Sequence, residues 1–82
     1  MPRFYFDLRD EEELALDEEG LELSGLGAAQ AEAAKSLADM ARDAASSPDS
    51  MSGRHRMAIE VRDASGPVMQ VKFTFEIETL RH

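Results

Sequence analysis

The chain has no cysteine and no tryptophan, three prolines, two histidines, one tyrosine and four phenylalanines among its 82 residues. Without cysteine there are no disulfides and no thiolate metal sites, which excludes the disulfide scaffolds of small secreted domains. The two histidines, His55 and His82, stand far apart with no carboxylates at ligand spacing, so no zinc site is expected. Basic residues are also scarce. Nine Lys and Arg face 17 Asp and Glu, a net charge of −8. Phosphate neutralisation needs clustered cations, so nucleic acid and anionic membrane surfaces are not expected partners. No apolar run approaches the length of a membrane span, and the opening Met1–Asp7 shows neither an apolar segment nor a small-residue cleavage site. A cytoplasmic protein is the expectation.

At this length one domain, residues 1–82, fits, with a core close to the smallest that holds a fold alone. Lacking staples, such a domain is a candidate for self-association. The acidity is local: residues 10–20 hold seven of the 17 acids, which leaves 10 acids against 9 bases elsewhere.

Residues 3–9 alternate, with Phe4, Phe6 and Leu8 on one side and Arg3, Tyr5, Asp7 and Arg9 on the other, the period of a half-buried strand. A second short strand over 13–17 would turn Leu14 and Leu16 inward and Glu13, Ala15 and Asp17 outward, with Leu21 and Leu23 pointing inward after Gly20. From Ser24 the period changes. Leu26, Ala29, Ala33, Leu37, Met40 and Ala44 form one helical stripe, and nine alanines between 28 and 45 favour a helix over about 25–45, with Ser24 as N-cap. Residues 46–54, around Pro48, read as a mobile loop. Strands follow at 56–63 and 67–78 across an Asp63-Ala64-Ser65-Gly66 turn, the last being the longest and most apolar and therefore the one expected at the sheet centre. The fold class is α+β: a ββαββ two-layer sandwich with one amphipathic helix on one face of a four-stranded, mainly antiparallel sheet.

The opening Met-Pro-Arg-Phe-Tyr-Phe-Asp-Leu-Arg-Asp, the Asp17–Leu23 segment, Ile59–Asp63 and the Ala-rich helix together resemble a family of small proteins frequent in soil and plant-associated alphaproteobacteria, a domain of unknown function. The similarity spans nearly the whole chain. It implies a compact ββαββ domain and assigns no activity, cofactor or catalytic residue. Members usually carry glycine in the first hairpin turn. Glu11-Glu12 stand there in this chain, which implies a looser turn.

No catalytic constellation emerges. An EF-hand alignment on Gly20 puts Ala15 at position 1 and Leu26 at position 12, where oxygen ligands are required. The serines lie in caps, turns and the loop without an elbow motif or a His–Asp pair, and Gly25-Leu26-Gly27 has Gln30 where a dinucleotide loop needs its third glycine. The expected function is therefore that of a non-catalytic protein-interaction or regulatory module without cofactor or metal, acting by surface contact and homodimeric. Glu11, Glu12, Glu18, Glu19 and Tyr5 are the candidate contacts for a basic protein partner. Ala31, Ala34, Ala38, Ala41 and Ala45 form a stripe on which two helices could pair. The alternative is a small-ligand or divalent-cation protein using the acidic hairpin, residues 10–20, or the Arg54–Arg56 cluster.

Overall fold

The alternation of residues 3–9 produces strand β1, Arg3–Asp10, and everything else in the sheet is arranged around it. The computed structural model describes residues 1–46, 53–78, 80 and 81. Strands β2 (Glu13–Ala15) and β3 (Leu21–Glu22) both pair with one side of β1, antiparallel, at its two ends. Helix α1, Leu26–Ala45, follows, and then the long hairpin of β4 (Gly53–Asp63) and β5 (Gly66–Ile77). The order is β2-β1-β4-β5, with β3 attached to β1 beside β2. The ββαββ order of an α+β sandwich stands, with the two-residue β3 as a fifth strand.

The most apolar strand does not lie centrally. β4 pairs with both β1 and β5, while β5 forms an edge. Residue burial explains the exchange: Met57, Ala58, Ile59 and Val61 of β4 are buried, while Met69, Val71, Phe75 and Ile77 of β5 are half-buried and Phe73 is exposed. The expected mobile loop 46–54 is shortened by the structure, because Gly53 and Arg54 belong to β4 and pair with Ile77 and Glu76. Residues 47–52 lie outside the described part.

α1 forms as its 3.6-residue stripe dictates, burying Ala29, Ala33, Leu37 and Ala41 against β4 and β5. With Phe4, Met57, Ile59 and Val61 these make the core, and Phe6, Leu8, Leu23 and Met40 pack at its margin. Ser24 does not cap the helix. The N-cap is Gly25, without a side-chain hydrogen bond, and the first turn closes from the Ala29 amide to the Gly25 carbonyl at 3.1 Å. Leu26, expected on the core stripe, is exposed.

The register of β2 is shifted by one from the alternation read in sequence. Leu8 lies opposite Ala15 and Arg9 opposite Leu14, so Ala15 shares the helix side of the sheet and Leu14 the outer side. The two-residue connection Glu11-Glu12 fixes this pairing, and a one-residue slip moves every side chain of a strand to the other face.

Candidate functional site

Between β2 and β3, where β1 has no neighbouring strand, a polar cluster closes the gap. The Asp17 carboxylate accepts the Phe6 amide at 3.1 Å, and its other oxygen accepts the amides of Glu19 and Gly20, each at 3.1 Å. An Asp side chain bonding backbone two and three residues on is the Asx device that turns a chain without a strand partner. The Asp17 amide in turn donates to Asp7 Oδ1 at 2.9 Å. Asp7 is the one polar residue among the described buried ones, and Arg62 of β4 reaches it through Nε at 2.9 Å while donating through Nη2 to the Asp17 carbonyl. The Arg62 guanidinium also lies 4.5 Å from the centre of the Tyr5 ring, a cation–π contact.

The electrostatics follow from this geometry. Burial pushes the Asp17 carboxyl up, but the three amide donors, from Gly20, Phe6 and Glu19, together with the Arg62 charge outweigh burial and hold it below its ordinary range. The hydrogen bond to Asp7 pushes the Arg62 guanidinium up from an already high value. Gly20 completes the cluster with φ of 72°. A Cβ there would stand 2.8 Å from the Phe4 carbonyl oxygen. Chemically the cluster is self-satisfied: its acceptors face donors of the same chain. Its work is to position the chain around it.

What it positions is an apolar groove. With α1 lying over β4 and β5, the helix side of β1 is left partly open, and Phe6, Leu8, Ala15, Leu16, Leu21 and Met40 line a groove of about 390 Å³ bordered by Asp17, Glu32 and Ser36. Leu16 is 63% exposed and Leu21 44%. The arrangement offers hydrophobic contact beside carboxylates. Sequence reasoning placed these leucines in the core and so missed the groove. Its signal was a short strand whose leucines have two possible faces.

The residues singled out by sequence separate into different roles. Glu11 is structural: its amide donates to the Arg56 carbonyl, its carboxylate accepts the Arg56 amide at 2.9 Å, and its φ is 56°. The first turn is therefore tight after all, two residues long with one left-handed residue, the conformation for which glycine is suited. Tyr5 is half-buried and engaged by Arg62. Glu12, Glu18 and Glu19 are exposed, and the Glu19 backbone is engaged on both sides, its amide by Asp17 and its carbonyl by Arg3. In the alanine stripe, Ala31, Ala34, Ala38 and Ala45 are exposed, but Ala41 is buried in the protein's own core, because the buried row runs at a spacing of four through Ala29, Ala33, Leu37 and Ala41. That correction removes Ala41 from any surface stripe.

The Arg54–Arg56 cluster is not assembled. Arg54 pairs with Glu76 at 3.1 Å, and His55 points to the other face, stacked on Phe75 at 5.0 Å. Arg56 instead joins Arg9 and Lys72 around a hollow of about 390 Å³ over buried Ala58 on the outer sheet face, with Glu11 and Glu12 also on its lining. Among the described residues, no three His, Asp or Glu side chains converge as metal ligands would.

Comparison with known proteins joins these pieces. Residues 3–74 match the family described as Domain of unknown function (DUF6894). The chain belongs to this family. No curated protein and no solved structure matches it. Three of the stretches that carried the resemblance meet in space: Arg3, Tyr5 and Asp7 from the first, Asp17 and Gly20 from the second, and Arg62 from the third build the polar cluster. Their shared role is to fix the turn from β2 into β3 on the sheet.

Proposed function

We propose that the protein is a non-catalytic interaction module of the cytoplasm, which takes an apolar, basic segment of a protein partner into the groove between α1 and β1. The exposed pair Leu16 and Leu21 on that groove carries the reading. Large apolar side chains gathered on a rim of polar residues are a feature of binding surfaces. The net charge of −8, concentrated in residues 10–20 beside the groove, supplies steering for a basic partner. No helix among the described residues is long and apolar enough to cross a membrane.

Affinity capture from the native cell with three baits tests this: wild type, Leu16→Ser with Leu21→Ser, and Glu12, Glu18 and Glu19 all changed to Gln. The expected result is a partner lost from the leucine bait, weakened on the neutralised bait, and bound directly when purified. If all three baits retrieve the same proteins, the groove is not a recognition site. The alternative, a small-ligand protein, draws on the hollow over Ala58, where Arg56 and Lys72 would meet a small anion while Arg9 is held by Glu60 at 2.9 Å. Saturable amide shifts around Ala58 on adding inorganic phosphate, with none around Leu16, would favour it.

A further inference from the structure

We infer that the free edge of β5 is a self-association surface, on which two copies pair antiparallel about a twofold axis through Thr74. β5 runs for twelve residues and uses one side to pair with β4, and no described strand pairs with the other. An unpaired edge of that length is a template for another strand unless it is blocked. The backbone blocks present here sit at one end. Pro67 lies next to the start of β5, and the register shift between Val61 and Arg62 leaves Val68 outside the ladder. The stretch Val71–Ile77 carries neither.

Charge then selects the register. If both copies keep their helices on the same side of a continuous sheet, residues of like face must oppose each other, so the axis passes through a residue. Lys72, Thr74 and Glu76 share the outer face, since they oppose Ala58, Arg56 and Arg54 of β4. An axis through Lys72 sets ammonium against ammonium, and one through Glu76 sets carboxylate against carboxylate, both unfavourable for directly opposed residues. An axis through Phe73 or Phe75 gives no opposite-charge pair within the strands.

An axis through Thr74 sets the two threonines opposite each other and places each Lys72 opposite the other copy's Glu76, whose carboxylate then bridges that ammonium and Arg54 of its own chain, 3.1 Å away. On the helix side it sets Phe73 against Phe75 and Val71 against Ile77 in both directions. Phe73 is 40% exposed at this edge, and Lys72 forms no ion pair among the described residues. Both conditions are relieved by the pairing. The contact is a seven-residue ladder with one row of side chains on each face, smaller than a standard interface of roughly 1,600 Å², so the association is weak and reversible.

This surface lies on the opposite edge of the sheet from the groove, and its fate is independent of the groove reading. Sedimentation equilibrium on wild type, Lys72→Glu, Glu76→Lys and the double variant tests it, with circular dichroism confirming that each is folded. Wild type should dimerise measurably below about 1 mM, a free energy on the order of 4 kcal/mol. Each single variant should weaken dimerisation at least tenfold, and the double variant should recover to within about threefold of wild type. A wild type that stays monomeric at about 1 mM overturns the inference. So do single variants that dimerise as wild type does, or a double variant that fails to recover.

Discussion

On the β4 side, the sheet is held by apolar burial. Ile59 and Val61 are fully buried and lie with Ala29, Ala33 and Leu37 in the core. On the β2 and β3 side of β1, the strands are three and two residues long, all five of their residues are exposed, and the holding groups are polar: Asp7, Asp17, Arg62 and the bare backbone of Gly20. The two sides differ in how tolerant they are. Apolar packing adapts by degrees, since many contacts share each loss. A buried carboxylate with three or four partners fails as a unit, because each partner left behind is a buried polar group without a mate. A small core can be repacked with other apolar residues, whereas the Asx turn and the Asp7–Arg62 pair depend on specific groups.

The largest expected loss comes from the apolar side. Ile59→Ala removes most of a side chain with no exposed surface and should cost about 3–4 kcal/mol, a large share of the stability of a domain this small. Amide protection should then fall throughout the protein together. Next is Gly20→Ala, expected to cost about 2–3 kcal/mol: the new Cβ meets the Phe4 carbonyl oxygen, and the residue keeps a left-handed φ. Here hydrogen exchange should accelerate most at β3 and at Phe4–Phe6, with β4 and β5 less affected. Uniform acceleration in both variants would mean that the two sides are not held separately.

The division also accounts for what could be read in the sequence. The strand at 3–9 and the helical stripe are local periodicities repeated over enough residues to decide the face, and Phe4, Ala29, Ala33 and Leu37 are indeed buried. The three residues of β2 are too few for alternation to decide, so a turn outside the pattern set their faces and put Leu14 opposite Arg9. Apolar content did not place β5, because strand order depends on which edges meet, and β1 meets β4. The groove at Leu16 depends on how far α1 covers the sheet, a tertiary property. The polar cluster joins Asp7 to Arg62, 55 residues away, and its one local signal, Asp17 followed three residues later by Gly20 as in an Asx turn, was read instead as the end of a strand over 13–17.

Asp17→Asn separates the charge of that turn from its shape. Asparagine can retain the bonds from Glu19 and Gly20 through its carbonyl oxygen, but it then presents an NH₂ to the Phe6 amide, where the second carboxylate oxygen accepted. A loss of about 1–2 kcal/mol at neutral pH is expected. The pH dependence has a definite sign. The folded carboxyl titrates below its unfolded value of roughly 3.9, so its contribution is complete above that value and is lost as pH falls through the lower folded one. The gap between wild type and variant should therefore be constant from about pH 5 to 7 and narrow below about pH 4. A gap that stays constant into acid would show that the ionised form is not what the amides hold.

The smallest effect tests the acidic turn. Glu11 is the one non-glycine residue with positive φ among those described, at a cost of roughly 1 kcal/mol, and its carboxylate takes the Arg56 amide. Glu11→Ala keeps the strained backbone and loses that bond. Glu11→Gly loses the same bond but relieves the strain, at some cost in unfolded-state entropy. The glycine variant should therefore be more stable than the alanine variant by about 1 kcal/mol and lie within a few tenths of wild type. Equal stability of the two variants in denaturant titrations would mean that the backbone at residue 11 relaxes out of the left-handed region.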